Sequence, residues 1–128
     1  MVASLQRRCD RCGLLASPRL RFRPDLAVCW SCWWAAVEAD GGAPADHLRT
    51  AVCRSGLRGK HRAVMLALID LWFDPETLSS DPVSVSVLAQ DVGLSRETVR
   101  LLLADLVNLG WLSRHKSATP QFWYRAGV

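Results

Sequence analysis

The sequence VSVSVLAQDVGLSRETVRLLLADLVNLGWL, residues 83–112, predicts two helices joined by a short turn. The first helix has one apolar face, which is made by Leu88, Ala89 and Val92. Ser84 or Ser86 can cap its start, and Gly93 can take the left-handed conformation that ends it. Because Ser95 can cap the next helix, we expect a turn of about three residues.

The second helix, residues 95–109, has a continuous apolar stripe along one side. The stripe follows the helical repeat and consists of Val99, Leu102, Leu103, Leu106 and Leu109. It leaves Arg96, Glu97 and Arg100 facing outward. Gly110 ends the helix, and short strands at residues 111–114 and 122–124 then flank a polar turn, which predicts a β-hairpin.

The motif GLSRETVRLLLADLVNLGWL, residues 93–112, resembles the winged helix-turn-helix domains of bacterial transcription regulators and of plasmid or phage replication proteins. The resemblance extends upstream, because LRGKHRAVMLALIDLWF, residues 57–73, is similar to the first helix of such domains. It implies binding of double-stranded DNA, with residues 95–109 in the major groove and the hairpin as the wing.

This resemblance assigns roles to the polar side chains of the second helix and of the hairpin. Arg96 and Arg100 lie one turn apart and can reach base edges, where a bidentate arginine recognises guanine. Contacts to phosphates are expected from Ser95, Thr98, Arg114 and Lys116. The middle of the helix departs from the family, since Leu101, Ala104 and Asp105 stand where relatives commonly carry basic residues.

The charge of the chain agrees with an acidic partner such as nucleic acid. The 128 residues carry a formal net charge of +4, and the excess of arginine is concentrated towards the two ends. No apolar run is long enough to span a membrane, and the first residues do not resemble a signal peptide. We therefore expect a cytoplasmic protein without membrane association. No catalytic set of residues is recognisable, which argues against an enzyme.

Four of the five cysteines form two pairs, Cys9-x-x-Cys12 and Cys29-x-x-Cys32, separated by sixteen residues. In a reducing cytoplasm such pairs indicate metal binding rather than disulfides. The pattern predicts one structural zinc ion with four sulfur ligands and no open coordination position. The alternatives are an iron–sulfur cluster, a redox pair or a coincidence of spacing. Cys53, on an Ala- and Val-rich helical segment, is expected to be buried and inert.

The segment around these cysteines resembles a treble-clef zinc finger over residues 8–39. Alternating residues 19–23 predict the first strand of a hairpin, and residues 29–39 predict a helix that carries the second cysteine pair. Arg19, Arg21 and Arg23 are expected to share one strand face. They either follow DNA phosphates or form a solvated surface.

Trp30, Trp33 and Trp34 give the finger helix more aromatic surface than a small finger can cover by itself. We expect them to pack on the helix of residues 57–73. The alternatives are a second subunit of a homodimer and stacking on single-stranded bases. Gly41 and Gly42 indicate a hinge, residues 45–55 predict a connecting helix, and residues 83–85 a small strand.

Together these patterns predict a mainly α-helical chain with small β-hairpins. Its segments are a treble-clef-type four-cysteine zinc finger (1–42), a connecting helix (43–56) and a winged helix-turn-helix domain (57–128). The expected function is sequence-specific binding of double-stranded DNA by a transcription regulator. The alternatives are a plasmid or phage replication or partition protein, and an adaptor that uses the winged helix to bind a protein partner.

Overall fold

The computed structural model describes residues 7–127, which form five helices and three two-stranded antiparallel hairpins. The helices are α1 (Trp30–Asp40), α2 (Pro44–Arg54), α3 (Gly59–Ala67), α4 (Val85–Val92) and α5 (Arg96–Asn108). The strands are β1 (Arg7–Arg8), β2 (Leu15–Ala16), β3 (Leu20–Arg23), β4 (Leu26–Val28), β5 (Leu112–Lys116) and β6 (Phe122–Ala126). The mainly helical fold with small hairpins is therefore confirmed. Among the described helices, none is long and apolar enough to cross a membrane.

The N-terminal part is built from two hairpins and α1. β1 pairs with β2, and β3 pairs with β4. Asp10 joins the two hairpins, because its N–H donates to the Ala27 carbonyl at 2.9 Å and its Oδ2 accepts from the Ala27 N–H at 2.8 Å. α1 follows β4 directly, so the two cysteine pairs are held by adjoining elements.

The connecting helix α2 begins at Pro44 and ends at Arg54, one residue earlier at each end than predicted. Proline suits the first turn of a helix, where its missing N–H has no helical partner. The predicted apolar face is confirmed, since Leu48, Ala51 and Val52 are buried. α2 packs on β3 and on α3, and α3 continues through a π-helical turn, Leu68–Trp72.

The predicted turn between α4 and α5 has the expected caps. The Ser84 hydroxyl accepts from the Val87 N–H at the start of α4, and Gly93 ends that helix in the left-handed conformation. Ser95 caps α5. The buried side of α5 consists of Val99, Leu102, Leu103 and Leu106, each contributing about 1.5–3 kcal/mol by burial. Leu109 lies beyond this side and is 39% exposed, because α5 ends at Asn108.

β5 and β6 form the C-terminal hairpin, which packs against α5. Residues 78–83 run beside β6: the Ser80 N–H donates to Tyr124 O at 2.8 Å, and the Val83 N–H donates to Phe122 O at 2.8 Å. Ser79 forms a single β-bridge with Arg125 of β6, and Ser80 forms one with Phe73. The expected strand at residues 83–85 is wrong, because Val85 already begins α4 under the Ser84 cap.

The tryptophans of α1 contact one another and the start of the C-terminal hairpin. Trp33 is completely buried, and Trp30 contacts Trp111 edge to face with ring centres 6.2 Å apart. The Trp30 Nε1–H also donates to Gly110 O at 2.9 Å. The partner is thus the start of the C-terminal hairpin, since β5 brings Trp111 to α1 from distant sequence. One hydrophobic cluster includes residues from Cys9 to Ala126.

Candidate metal centre and nucleic-acid interface

The sulfur atoms of Cys9, Cys12, Cys29 and Cys32 all lie within 4.8 Å of one another. Cys12 Sγ and Cys29 Sγ are 3.8 Å apart. A tetrahedral ion with metal–sulfur bonds of about 2.3 Å places its ligands about 3.8 Å apart, so this separation suits such an ion. The four cysteines that the spacing singled out come together in a cluster that could hold a metal ion.

Local backbone geometry explains how the first pair is placed. Gly13 has a φ of +78°, and its N–H donates to Cys9 O at 3.0 Å, which closes a tight turn after β1. The N–H groups of Arg11 and Cys12 both point at Cys9 Sγ, at 3.4 Å. Such donors stabilise a thiolate, which is the form of cysteine that binds metals.

The second pair lies at the start of α1. Cys29 is the residue before the first helical position, and Cys32 is in the first turn. The first N–H groups of a helix lack helical partners, and the helix dipole favours negative charge there. Both sulfurs of the second pair therefore come from the positive end of the helix dipole.

The cluster affects the pKa of two thiols in opposite directions. Burial raises the pKa of Cys9, but the N–H groups of Cys12, Cys29 and Arg11 outweigh it and lower the pKa to about 6. Burial raises the pKa of Cys32 to about 12, and hydrogen bonds to the neighbouring sulfurs add to this rise. Four crowded thiols thus resist becoming thiolates together unless a cation offsets their repulsion.

The arginines of the finger are partly occupied by contacts within the chain. Arg19 donates to Asp10 Oδ1 at 3.2 Å, and Arg21 donates to Pro24 O at 2.7 Å. β3 begins only at Leu20, and a register shift interrupts its pairing between Arg21 and Arg23. The expected stripe of three arginines on one strand face is therefore wrong. Their contact with DNA stays a prediction.

Cys53 is exposed, so the expectation that it is buried is wrong. The residue lies on the outer side of α2, because the buried side of that helix is set by Leu48, Ala51 and Val52.

The outward side of α5 carries the expected arginines. Arg96 and Arg100 are exposed, and Arg100 Nη1 lies 3.0 Å from Glu97 Oε1. An exposed pair of this kind contributes only about 0.3–0.5 kcal/mol, so Arg100 can exchange this partner for another anion. Asp105 is about 140° around the helix from Arg100 and contacts His61 of α3 at 3.0 Å. The acid in the middle of α5 is therefore on a different side from the arginines.

The side chains of Ser95 and Thr98 are hydrogen-bonded to each other at the start of α5. The Ser95 hydroxyl donates to Thr98 Oγ1 at 2.8 Å and accepts from the Thr98 N–H at 3.2 Å. The hydroxyl hydrogen of Ser95 is thus already used. The hydroxyl hydrogen of Thr98 is the donor that this pair can offer to a phosphate.

Arg114 and Lys116 lie on one face of the C-terminal hairpin because residues alternate along a strand. The Arg114 guanidinium stacks on Phe122, 4.7 Å from the ring centre, and Lys116 is exposed near the tip. His115 is on the opposite face and stacks on Trp123, with ring centres 4.1 Å apart.

A groove of about 510 Å³ lies between three elements, and its walls are the start of α4, the exposed side of α5 and this face of the hairpin. Arg96, Arg100 and Arg114 all line it, and Glu97 is the acid among its lining residues. We call it the interface groove. Gln121, from the hairpin turn, also lines the groove. Sequence reasoning missed Gln121 because no local pattern shows which way a turn residue faces.

Comparison with protein-family models, with curated proteins and with solved structures finds no match for this chain.

Proposed function

We propose that this chain is a sequence-specific double-stranded DNA-binding protein of the winged helix-turn-helix type, acting as a transcription regulator. α5 enters the major groove, and the C-terminal hairpin is the wing that contacts the adjoining phosphates. The observation that carries the proposal is the convergence of Arg96, Arg100 and Arg114 on the interface groove. These arginines come from two elements, and both are positioned by the buried side of α5.

The N-terminal finger has a structural role in this proposal. The four cysteines hold one zinc ion, and the finger supports the end of α5 through Trp30 and Ser17. The Ser17 hydroxyl donates to Leu109 O at 3.3 Å, and the Trp30 indole donates to Gly110 O at 2.9 Å. Anchoring this end of α5 fixes the angle between the recognition helix and the wing.

A homodimer stays part of the proposal for one reason only. One recognition helix reads a half-site, and two-fold symmetry doubles the sequence that is read. Trp33 no longer argues for it, since this side chain is completely buried within the chain.

Binding should be tested by gel shift with genomic fragments at two salt concentrations, followed by selection of the preferred site. A sequence-specific binder retains preferred fragments in excess competitor DNA, while its overall affinity falls with salt. Binding that shows no preference at either concentration would contradict a sequence-specific regulator.

Arg100→Ala should reduce the preference for the selected site by roughly 5- to 150-fold, because a bidentate arginine–guanine contact contributes about 1–3 kcal/mol of discrimination. Arg96→Ala should act in the same direction. Affinity for unrelated duplexes should fall much less. Arg54→Ala removes the same charge from the exposed end of α2 and is the matched control.

Lys116→Ala should weaken binding to all duplexes alike, since a wing lysine contacts phosphates and not bases. The slope of log affinity against log salt concentration should become shallower by about one unit. Fluorescence anisotropy with the selected site and with a scrambled duplex measures both quantities. If Lys116→Ala changes the sequence preference but not the slope of log affinity against log salt concentration, Lys116 does not contact a phosphate.

A second candidate function is an adaptor that binds a protein partner. Leu101 favours it, because this side chain is 59% exposed in the middle of α5. The adaptor replaces the regulator if Arg96→Ala and Arg100→Ala keep the site preference while Leu101→Asp abolishes binding of a protein partner. The replication or partition alternative shares the same DNA interface and differs only in its biological context.

A further inference from the structure

The outer face of the C-terminal hairpin and one side of α1 line a second, open cleft of about 420 Å³. We call it the Trp34–Trp123 cleft. Its lining residues are Trp34, Glu38, Thr77, Ser79, Trp123 and Arg125. α1 and β6 supply two residues each at spacings that put both on one side, and the loop before Ser80 supplies Thr77 and Ser79. The volume lies within the range of about 300–1,000 Å³ that is usual for small-ligand sites.

This cleft is separate from the interface groove. Trp123 and Arg125 alternate along β6 with Phe122 and Tyr124, which line the interface groove. Because successive residues of a strand point to opposite faces, the two sites lie on opposite sides of the hairpin. A ligand in one site leaves the other accessible.

The aromatic residues of the cleft are held in place by neighbouring rings. Trp123 stacks on His115, and Trp34 packs edge to face on the buried Trp33 with ring centres 5.1 Å apart. Both indoles are nevertheless only half-buried. Rings that are already fixed lose little conformational freedom on stacking with a ligand.

The cleft also offers one cation and one anion. Arg125 is exposed, and among residues 7–127 no carboxylate lies within ion-pair distance of its guanidinium. Glu38 lies one turn after Trp34 on α1 and is exposed. Between them, the hydroxyls of Thr77 and Ser79 bond to each other at 2.9 Å.

We propose that the Trp34–Trp123 cleft binds a nucleotide, with the base on the indoles and the phosphate on Arg125. Two indoles beside a free guanidinium match a planar ring that carries a negative charge, since bases stack on tryptophan and arginine forks bind phosphate oxygens. Glu38 accepts a hydrogen bond from an exocyclic amino group, as carboxylates do from cytosine N4. The site therefore prefers cytosine, adenine and guanine to thymine.

The nucleotide comes either free in solution or as part of a single strand, and the two sources need separate measurements. One titration uses dCMP and dTMP, and the other uses short single-stranded oligonucleotides of cytosine or of thymine. Binding is followed by calorimetry and by quenching of tryptophan fluorescence, with the full zinc-loaded chain. We expect saturable binding in at least one titration, with the cytosine form the tighter of each pair.

Arg125→Gln should weaken this binding roughly ten-fold, which is the usual scale for loss of one charge-assisted contact. Arg54→Gln removes the same charge outside the cleft and should leave binding unchanged. Glu38→Gln should reduce the difference between cytosine and thymine without abolishing binding. Both replaced residues of the cleft are exposed, so circular dichroism should show an intact fold.

The proposal is overturned if neither source binds at millimolar concentration, or if Arg125→Gln and Arg54→Gln weaken binding equally. Its failure is separable from that of the proposed function. Arg125→Gln should leave gel shifts of the duplex site unchanged, and Arg100→Ala should leave nucleotide binding unchanged. Binding of dCMP as tight as that of the cytosine oligonucleotide identifies a free effector, whereas much tighter binding of the oligonucleotide identifies a single strand.

Discussion

Cys29→Ser should abolish metal binding and unfold the N-terminal finger, whereas Cys53→Ser should change neither metal content nor stability. Cys29 supplies one of four sulfur atoms in the cluster, while Cys53 is exposed and outside it. Structural zinc sites of this type contribute about 10–16 kcal/mol of apparent binding free energy at neutral pH, which exceeds the net stability of many domains.

The effect should extend beyond the finger. Trp30 joins α1 to the start of the C-terminal hairpin by its contact with Trp111, and one hydrophobic cluster runs through both parts. Removal of the metal by a strong chelator should therefore lower the melting temperature of the whole chain and weaken DNA binding. Elemental analysis of the purified protein and thermal denaturation with and without chelator measure both effects.

One zinc ion per chain is the expected stoichiometry. Iron in the elemental analysis would replace the zinc assignment with an iron–sulfur or iron-binding site. Full metal content in Cys29→Ser would show that the four-sulfur cluster is not the binding site.

Gly110→Ala should lower the free energy of unfolding by roughly 2–5 kcal/mol, because a backbone strain and a steric clash arise at one position. Gly110 has a φ of +86°, which costs an alanine about 1–2 kcal/mol. A Cβ at this position would also lie 2.2 Å from Ser17 O, a backbone atom of the finger. The clash is relieved only if the finger moves away from the end of α5. Overpacking of this kind typically lowers the free energy of unfolding by about 1–3 kcal/mol.

Gly56→Ala is the matched control for this substitution. Gly56 has the same φ of +86°, but a Cβ there would meet no atom within 4 Å. Gly56→Ala should therefore lower the free energy of unfolding only by the cost of the left-handed backbone, about 1–2 kcal/mol. Urea denaturation of the three proteins gives the comparison. Equal losses in the two variants would mean that the finger does not press on Gly110.

Local sequence signals were sufficient for the elements that carry the proposed function. α4, α5 and the turn between them are determined by signals that act within a few residues. These signals are the apolar repeat of α5, the serine cap of each of these two helices and the left-handed Gly93. The cysteine spacing likewise identified the four members of the sulfur cluster, because two residues between cysteines let each segment supply two possible ligands.

Other features depended on contacts between distant segments, which no local pattern reveals. Trp30 of α1 packs on Trp111, because the pairing of β5 with β6 sets where Trp111 lies. The alternation of Arg19, Arg21 and Arg23 was interrupted by the register shift of β3 and by the contact of Arg19 with Asp10. Cys53 is exposed because the packing of α2 on β3 and α3 chooses which side of that helix is covered.

The sequence by itself determined where α4 and α5 form and are capped and which cysteines could share a metal ion, because these depend on short-range geometry along one chain segment. Only the tertiary structure decided that Arg96, Arg100 and Arg114 line one groove and that Trp34 and Trp123 line another. These residues belong to elements up to about ninety positions apart, and their meeting depends on how the hairpin and α1 pack around a shared core.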